Sequence, residues 1–311
     1  MRRSAFTLLE LVFVIVIMGI LAKFGVEFLA QAYKSFISSS INNRLQSQSA
    51  AAVETIAARL QYRIKDSVIA RIKDGNPTDF KALESSDYGD TATILEWVGS
   101  DIESFRGNTP NDGGDFLPHW SGIIDLKDPN TNATNLVSPG TDTGKLDTLI
   151  GTLSDGGSNI DDAALYFVGS DSDIITGYGW DGVAITDHNT SVMHPIKSNG
   201  TNQFAPVSGL DGSNSTFTGA NVYEYYQLAW TAYAVVHTPD DGNLTLYYDY
   251  QPWNGDTYLV KADGTQTKNA VIMENVDTFR FKAVGSIIKV QVCVNSDLVE
   301  DYSLCKEKTI F

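Results

Sequence analysis

A single carboxylate inside an apolar helix constrains this chain more than any other feature. Glu10 stands alone within the run from Phe6 to Ala22, where eleven Leu, Ile, Val or Phe residues lie between Leu8 and Leu21. Each of those residues favours insertion into a bilayer by about 0.3–0.6 kcal/mol, whereas a carboxylate near the bilayer centre costs about 2.5–3.5 kcal/mol. The Glu10 penalty offsets much of the gain, so the acid calls for a cationic partner. The nearest cation the chain can supply is a new amino terminus at Phe6, created by removal of Met1-Arg2-Arg3-Ser4-Ala5. The simpler alternative is an acid near a helix start, tolerated by snorkelling or favoured by the helix dipole.

The helix does not stop with the apolar run. Lys23 to Asp74 contains no proline and one glycine, Gly25. Tyr33, Ile37, Ile41 and Leu45, then Val53, Ile56, Leu60, Ile64, Val68 and Ile72, recur at three- and four-residue spacing. The pattern predicts one helix from about Phe6 to Lys73, on the order of 100 Å long at 1.5 Å per residue. A bilayer core is about 30 Å thick, so the second half must project beyond it. Residues 6–30 are therefore expected to span a membrane. Residues 31–74 continue as an amphipathic helix that needs a soluble body to cover its stripe, and Asp74-Gly75-Asn76-Pro77 supplies the stop. A secretory signal peptide is the competing reading of Arg2, Arg3 and the apolar stretch, but Ile20, two residues before a cut near Ala22, is not small.

A short basic leader ending in a small residue, then Phe6-Thr7-Leu8-Leu9-Glu10 and an apolar helix, resembles the prepilin signature of type IV pilins and type II secretion pseudopilins. The resemblance covers roughly the first 25 residues. It implies that residues 1–5 are a leader, that a prepilin peptidase cuts between Ala5 and Phe6 on the cytoplasmic face, and that the new Phe6 amine is methylated. Ala5 stands where the family usually has glycine, and Glu27 where true pilins commonly have proline. Glu10 of one subunit would pair with the Phe6 amine of its neighbour, removing the penalty in the membrane and making extraction into a helical bundle favourable and in register.

Composition bounds the remainder. With 311 residues, 42% hydrophobic and 11% aromatic, the chain can bury one large or two small globular units beyond the helix. A formal net charge of −16, without clustered Lys and Arg, disfavours a nucleic-acid surface and suits an extracytoplasmic exterior. The basic leader places the segment after Phe6 in the periplasm, where oxidation is permitted. A bridge between Cys293 and Cys305 would then close a small loop worth about 3 kcal/mol. Two buried free thiols are the alternative. His119, His188, His194 and His237 show no ligand spacing around the cysteines.

The chain changes character near Gly75 and near Asn221. Residues 75–220 are dense in Gly, Asp, Asn, Ser and Thr, with short apolar pieces at residues 93–98, 163–168 and 182–186. Residues 221–311 read as a β region with strands at 222–237, 244–250, 257–261, 276–283 and 287–294. Pro239-Asp240-Asp241-Gly242 and Val284-Gly285 mark hairpin turns. The expected fold is α+β: a long N-terminal helix, transmembrane in its first half, packed on an antiparallel sheet in a pilin-like arrangement with a large loop-rich insertion. The stretch from Glu274 to Phe281 and the Val-rich strand after it resemble the C-terminal sheet of J-type pseudopilins and W-type minor pilins. Phe279 and Phe281 would be core on any reading. Tyr223, Tyr225, Tyr226 and Trp230 read as packing, with a ligand-stacking or subunit-contact surface as the alternative.

No catalytic role is assigned. Gly177-Tyr178-Gly179-Trp180-Asp181-Gly182 matches G-x-G-x-x-G but opens no helix, and reads as a turn. Asp171 and Asp173, with the Asp112–Asp115 and Asp211–Asn214 loops, are calcium candidates by composition, yet none follows the D-x-[DN]-x-[DN]-G pattern and solvated turns explain them as well. No other cofactor is called for. The resemblance implies a structural subunit, minor by its size, of a type IV pilus or type II secretion filament. It would wait as a single-pass protein in a bacterial inner membrane and later lie in a periplasmic or extracellular filament. Its expected partners are other pilin or pseudopilin subunits, the prepilin peptidase, the inner-membrane assembly platform and the lipid bilayer. The alternative is a filament-tip or membrane-tethered adhesin that binds a surface or glycan through residues 76–220.

Overall fold

The computed structural model describes residues 7–72, 78–107, 117–170, 173–208, 213–296 and 303–311. Helix α1 runs from Leu8 to Leu60, 53 residues and on the order of 80 Å long. It ends well before the expected Lys73. The Ser100 N–H donates to the Tyr62 carbonyl (2.8 Å) and the Ile64 N–H to the Val98 carbonyl (2.9 Å), so the chain leaves the helix by pairing with a strand. Helical continuation would have put Ile64 and Val68 on one face. The structure instead buries Ile64 and Ile69 in one core and Val68 and Ala70 in another. Two-sided burial is available to a strand and not to a helix stripe, and these residues are mostly β-branched.

Strands β1 (Ile69–Arg71), β2 (Phe80–Ala82) and β3 (Ile94–Gly99) follow, then a short helix α2 (Ile102–Arg106), strand β4 (Leu136–Val137) and helix α3 (Thr143–Leu153). Next come β5 (Ala164–Phe167), β6 (Met193–Ser198), β7 (Gln203–Ser208), β8 (Ser213–Asn214) and β9 (Tyr226–Ala229). The last strands are β10 (Thr231–Thr238), β11 (Asn243–Tyr250), β12 (Lys268–Met273), β13 (Val276–Val284), β14 (Ile287–Asn295) and β15 (Ser303–Ile310). Among the described residues they form three antiparallel sheets, in the orders β12-β11-β10-β3-β1-β2, β13-β14-β15 and β4-β7-β6-β5-β9, with β8 paired to β7.

The expected strand at 222–237 is thus two strands that enter different sheets and meet at Trp230. Residues 182–186 and 257–261 are not strands; the latter makes only the bridge Val260–Gln266. Strands β12 and β15 escape the sequence pattern because both are edge strands with little side-chain burial: β15 carries Lys306 and Lys308, and β12 leaves Asn269, Ala270 and Val271 exposed. No sheet boundary falls at Asn221: β3, from the loop-rich stretch, is central between β10 and β1.

The C-terminal part of α1 is the centre of the first core. Leu45, Ala52, Val53, Ile56, Ala57 and Leu60 pack with Leu95, Trp97, Val235 and Leu246 of the six-stranded sheet and with Val290, Val292 and Val294 of the three-stranded sheet. Two sheets therefore cover one helix. The opposite face of the six-stranded sheet closes a second core with Tyr178, Trp180, Tyr250 and Trp253. A third core joins α3 to the third sheet through Leu146, Ile150, Phe167 and Phe204. The second core holds a buried ion pair, Arg71 Nε to Glu96 Oε1 at 2.6 Å, completed by the Tyr250 hydroxyl donating to Glu96 Oε2 at 3.1 Å.

Cys293 and Cys305 face each other across β14 and β15 and are joined in a disulfide. β15 is a polar edge strand, yet it lies against α1, and Lys308 Nζ reaches Glu54 Oε1 at 2.5 Å. The covalent link holds in register a strand that its own sequence specifies weakly. Reduction, or the Cys293→Ser/Cys305→Ser pair, is expected to lower stability by about 2–4 kcal/mol. Denaturant midpoints of the full chain in detergent, with and without reductant, check this, and coincident midpoints would contradict it.

Candidate functional site

Among the described residues, no other part of the chain packs on the first half of α1. From Leu8 to Phe36 every residue is exposed, Leu8 at 82% and Phe36 still at 71%, while the first fully buried position is Leu45. A continuous apolar surface of this extent is not stable in water and marks a membrane or a partner. The helix is long and apolar enough to cross a membrane. The charged residues of this half beyond Glu10 are not scattered. Lys23, Glu27 and Lys34, with the polar Gln31 between them, are spaced by four, four and three residues and line one face of the helix.

Glu10 has a local role in the single chain. Thr7 is the N-cap, and the two residues form a capping box: the Glu10 N–H donates to Thr7 Oγ1 (3.4 Å), and Glu10 Oε2 accepts from the Thr7 N–H (3.1 Å) and hydroxyl (3.0 Å). The carboxylate thus sits at the positive end of the helix dipole. Both bonds that the carboxylate accepts fall on one oxygen. Among the described residues Oε1 accepts no bond and Glu10 has no ion-pair partner, so the acid retains an open acceptor for a cation supplied from elsewhere. Ala5 and Phe6 lie outside the described residues.

The remaining sequence candidates separate. Asp173 binds its own turn, Oδ2 accepting from the Thr176 hydroxyl at 2.6 Å and Oδ1 from the Ile175 N–H at 3.0 Å; these bonds hold its carboxyl below the usual range. Asp171 lies outside the described residues, as do Asp112, Asp115 and Asp211. Among the described residues no three His, Cys, Asp or Glu side chains converge as a metal site. The glycine-rich run is a packed turn. Gly179 has φ +81° and approaches the Pro252 carbonyl so closely that a Cβ would lie 2.2 Å from its oxygen, while Tyr178 and Trp180 are buried. The aromatic cluster divides: Tyr226 and Trp230 are core, whereas Tyr223 and Tyr225 are exposed.

One pairing was not legible in the sequence. His188 and His194 stack at 5.4 Å between ring centroids, buried against Phe217, with their Nδ1 atoms 3.2 Å apart. His188 Nε2–H donates to the Val207 carbonyl at 2.9 Å, so its Nδ1 accepts from His194 Nδ1–H. The arrangement excludes a proton on every ring nitrogen of both residues, because two N–H groups would then meet at Nδ1, and burial favours the neutral rings. Burial, with His188 beside it, pushes His194 down to about 3, and burial lowers His188 as well. The pair belongs to the packing of the third sheet.

Comparison with protein-family models, with curated proteins and with solved structures finds no match for this chain.

The histidine pair sets a pH dependence. Its folded values lie below the ordinary 6.5, so its contribution is complete above that pH and is lost as pH falls from 6.5 towards 3. His194→Gln, which can still donate to His188 but does not titrate, is expected to flatten the loss of stability below pH 6.5 by about 1 kcal/mol per pH unit. Urea midpoints of the full chain in detergent between pH 7 and pH 4 measure it. Superimposable profiles for the two proteins would refute the assignment.

Proposed function

We propose that this chain is a pilin-like structural subunit, held in a bacterial inner membrane by the first half of α1 and drawn into a type IV pilus or type II secretion filament through that same helix. The observation that carries this reading is the division of one helix: a mainly apolar half exposed on every side, Leu8 to Phe36, continuous with a half enclosed by two sheets. A soluble enzyme has no use for such a surface. A subunit that exchanges lipid for the helices of its neighbours does.

In the proposed cycle a prepilin peptidase removes residues 1–5 and leaves a methylated amine at Phe6. In the membrane Glu10 carries its charge at a cost that its capping box lowers but does not remove. Assembly brings the Phe6 amine of one subunit to the open Oε1 of Glu10 on the next, pairing two charges that lipid solvates poorly. The same contact fixes the axial register, because a slip of one turn separates the charges by about 5.4 Å. The inner-membrane assembly platform supplies the work of extraction. A body with three separate cores is bulky beside a single helix, which favours a minor position over one repeated at every step of the filament.

Mass spectrometry of the mature amino terminus tests the first step, with N-methylated Phe6 expected. Glu10→Ala should leave leader removal intact and lower incorporation into filaments by about tenfold or more, the loss of one buried charge pair. A mature chain that starts near Lys23, or a Glu10→Ala chain that assembles at the normal level, rejects the proposal.

A further inference from the structure

The globular body carries an exposed apolar patch that the membrane helix does not explain. Phe105 of α2, Ile123, Val168 and Tyr225 are 41%, 39%, 49% and 58% exposed and, over Trp120, line an open groove of about 470 Å³. Its floor is fixed. The Trp120 indole N–H donates to the Asp101 carbonyl at 3.0 Å, and its ring lies 4.8 Å from Phe105 and 5.6 Å from Tyr226. The Tyr226 hydroxyl is in turn 2.8 Å from Ser138 Oγ. A groove with a rigid aromatic floor costs a ligand little to order.

The groove continues, across Ser100 and Ile102, into a second hollow of about 370 Å³ at the end of α1. Here two arginines are held by tyrosines. Arg59 lies 4.9 Å over the Tyr233 ring and donates to its hydroxyl at 3.0 Å. Arg106 lies 5.2 Å over the Tyr62 ring and donates to its hydroxyl at 2.6 Å. Glu103 lines the same hollow, but among the described residues neither arginine forms a salt bridge. Stacking and a single hydroxyl bond leave most of each guanidinium's five donors available. In a chain of net charge −16, two held guanidiniums beside an apolar groove reverse the local sign of the surface.

We propose that this composite groove docks an acidic segment of a partner protein, seating a large apolar side chain between Phe105, Ile123 and Tyr225 and a neighbouring carboxylate on Arg59 and Arg106. Guanidinium and carboxylate match as planar, two-pronged partners, and an aromatic-walled groove supplies the anchor that dominates such contacts. The arginines select the segment and the groove retains it. A neutral glycan could stack on Tyr225 but would gain nothing specific from two guanidiniums, and a basic segment would be repelled by them. The inference goes beyond the filament reading and uses neither Glu10 nor the apolar half of α1.

Photo-crosslinking reads the chemistry directly. p-Benzoylphenylalanine is placed at Ile123 or Tyr225 in the full chain, in the cells that produce it, and the crosslinked peptides are sequenced by mass spectrometry. The expected product is one protein segment with Asp or Glu within a few residues of the crosslinked side chain. Its yield should fall about tenfold in Arg59→Glu/Arg106→Glu. A matched fall is expected for Tyr225→Asp with the crosslinker at position 123, and an unchanged denaturant midpoint shows that each variant folds. Crosslinks to a glycan, to a basic or uncharged segment, or to nothing overturn the proposal, as does a yield indifferent to the arginines. Removal of the leader before Phe6 is scored on the same samples, so failure of the filament reading is seen separately.

Discussion

The structure depends on one helix that serves two solvents. From Leu11 to Ala22 the first half of α1 offers apolar surface in every direction, which only a surrounding of lipid or other helices can satisfy; the second half is covered on two sides by protein. A single uninterrupted hydrogen-bonded rod makes this possible, because no backbone group is left unpaired where the surroundings change. The boundary lies in the polar stretch around Ser38 to Asn43, where Ile37, Ile41 and Asn42 are the first residues to be partly covered. Nothing in the helix geometry changes there. Only the neighbours do.

Enclosing the second half from both sides shapes the rest of the body. The six-stranded and three-stranded sheets meet over Ile56 and Leu60, and the six-stranded sheet then has a second face to bury. That face receives the Arg71–Glu96 pair and the tryptophan-rich turns around Trp180 and Trp253, on which the third sheet is built. The order of dependence runs outward from the helix. The strand that follows it, β1, is buried on both faces because it lies between the two inner layers.

The exposed chemistry lies at the two ends of this layout. At one end Glu10 is half-satisfied: its capping box, worth on the order of 1 kcal/mol, engages one carboxylate oxygen and among the described residues leaves the other without a partner. At the other end Arg59 and Arg106 are held by aromatic rings beside an apolar groove and, among the described residues, form no salt bridge. In both places a charge is held in position and left incompletely paired, and that condition makes a surface selective for what approaches it.

The long apolar helix, the lone acid at its start, the α+β character, the hairpins at Pro239–Gly242 and Val284-Gly285 and the pairing of two cysteines were all legible in the sequence. Each follows from residues close along the chain, where periodicity, turn chemistry and spacing act without reference to the fold. The end of α1 was not legible, because a spacing of four between Ile64 and Val68 suits a helix face, and only pairing with β3 shows that the chain buries them on opposite sides. Nor were β12 and β15, weakly buried edge segments that become strands only when a neighbour offers its hydrogen bonds. The His188–His194 pair and the arginine–tyrosine groove join residues 6 to 174 positions apart. Local sequence sets which backbone conformations and which solvents a segment prefers. Which side chains meet across the sheets is decided by packing, and packing is a property of the whole fold.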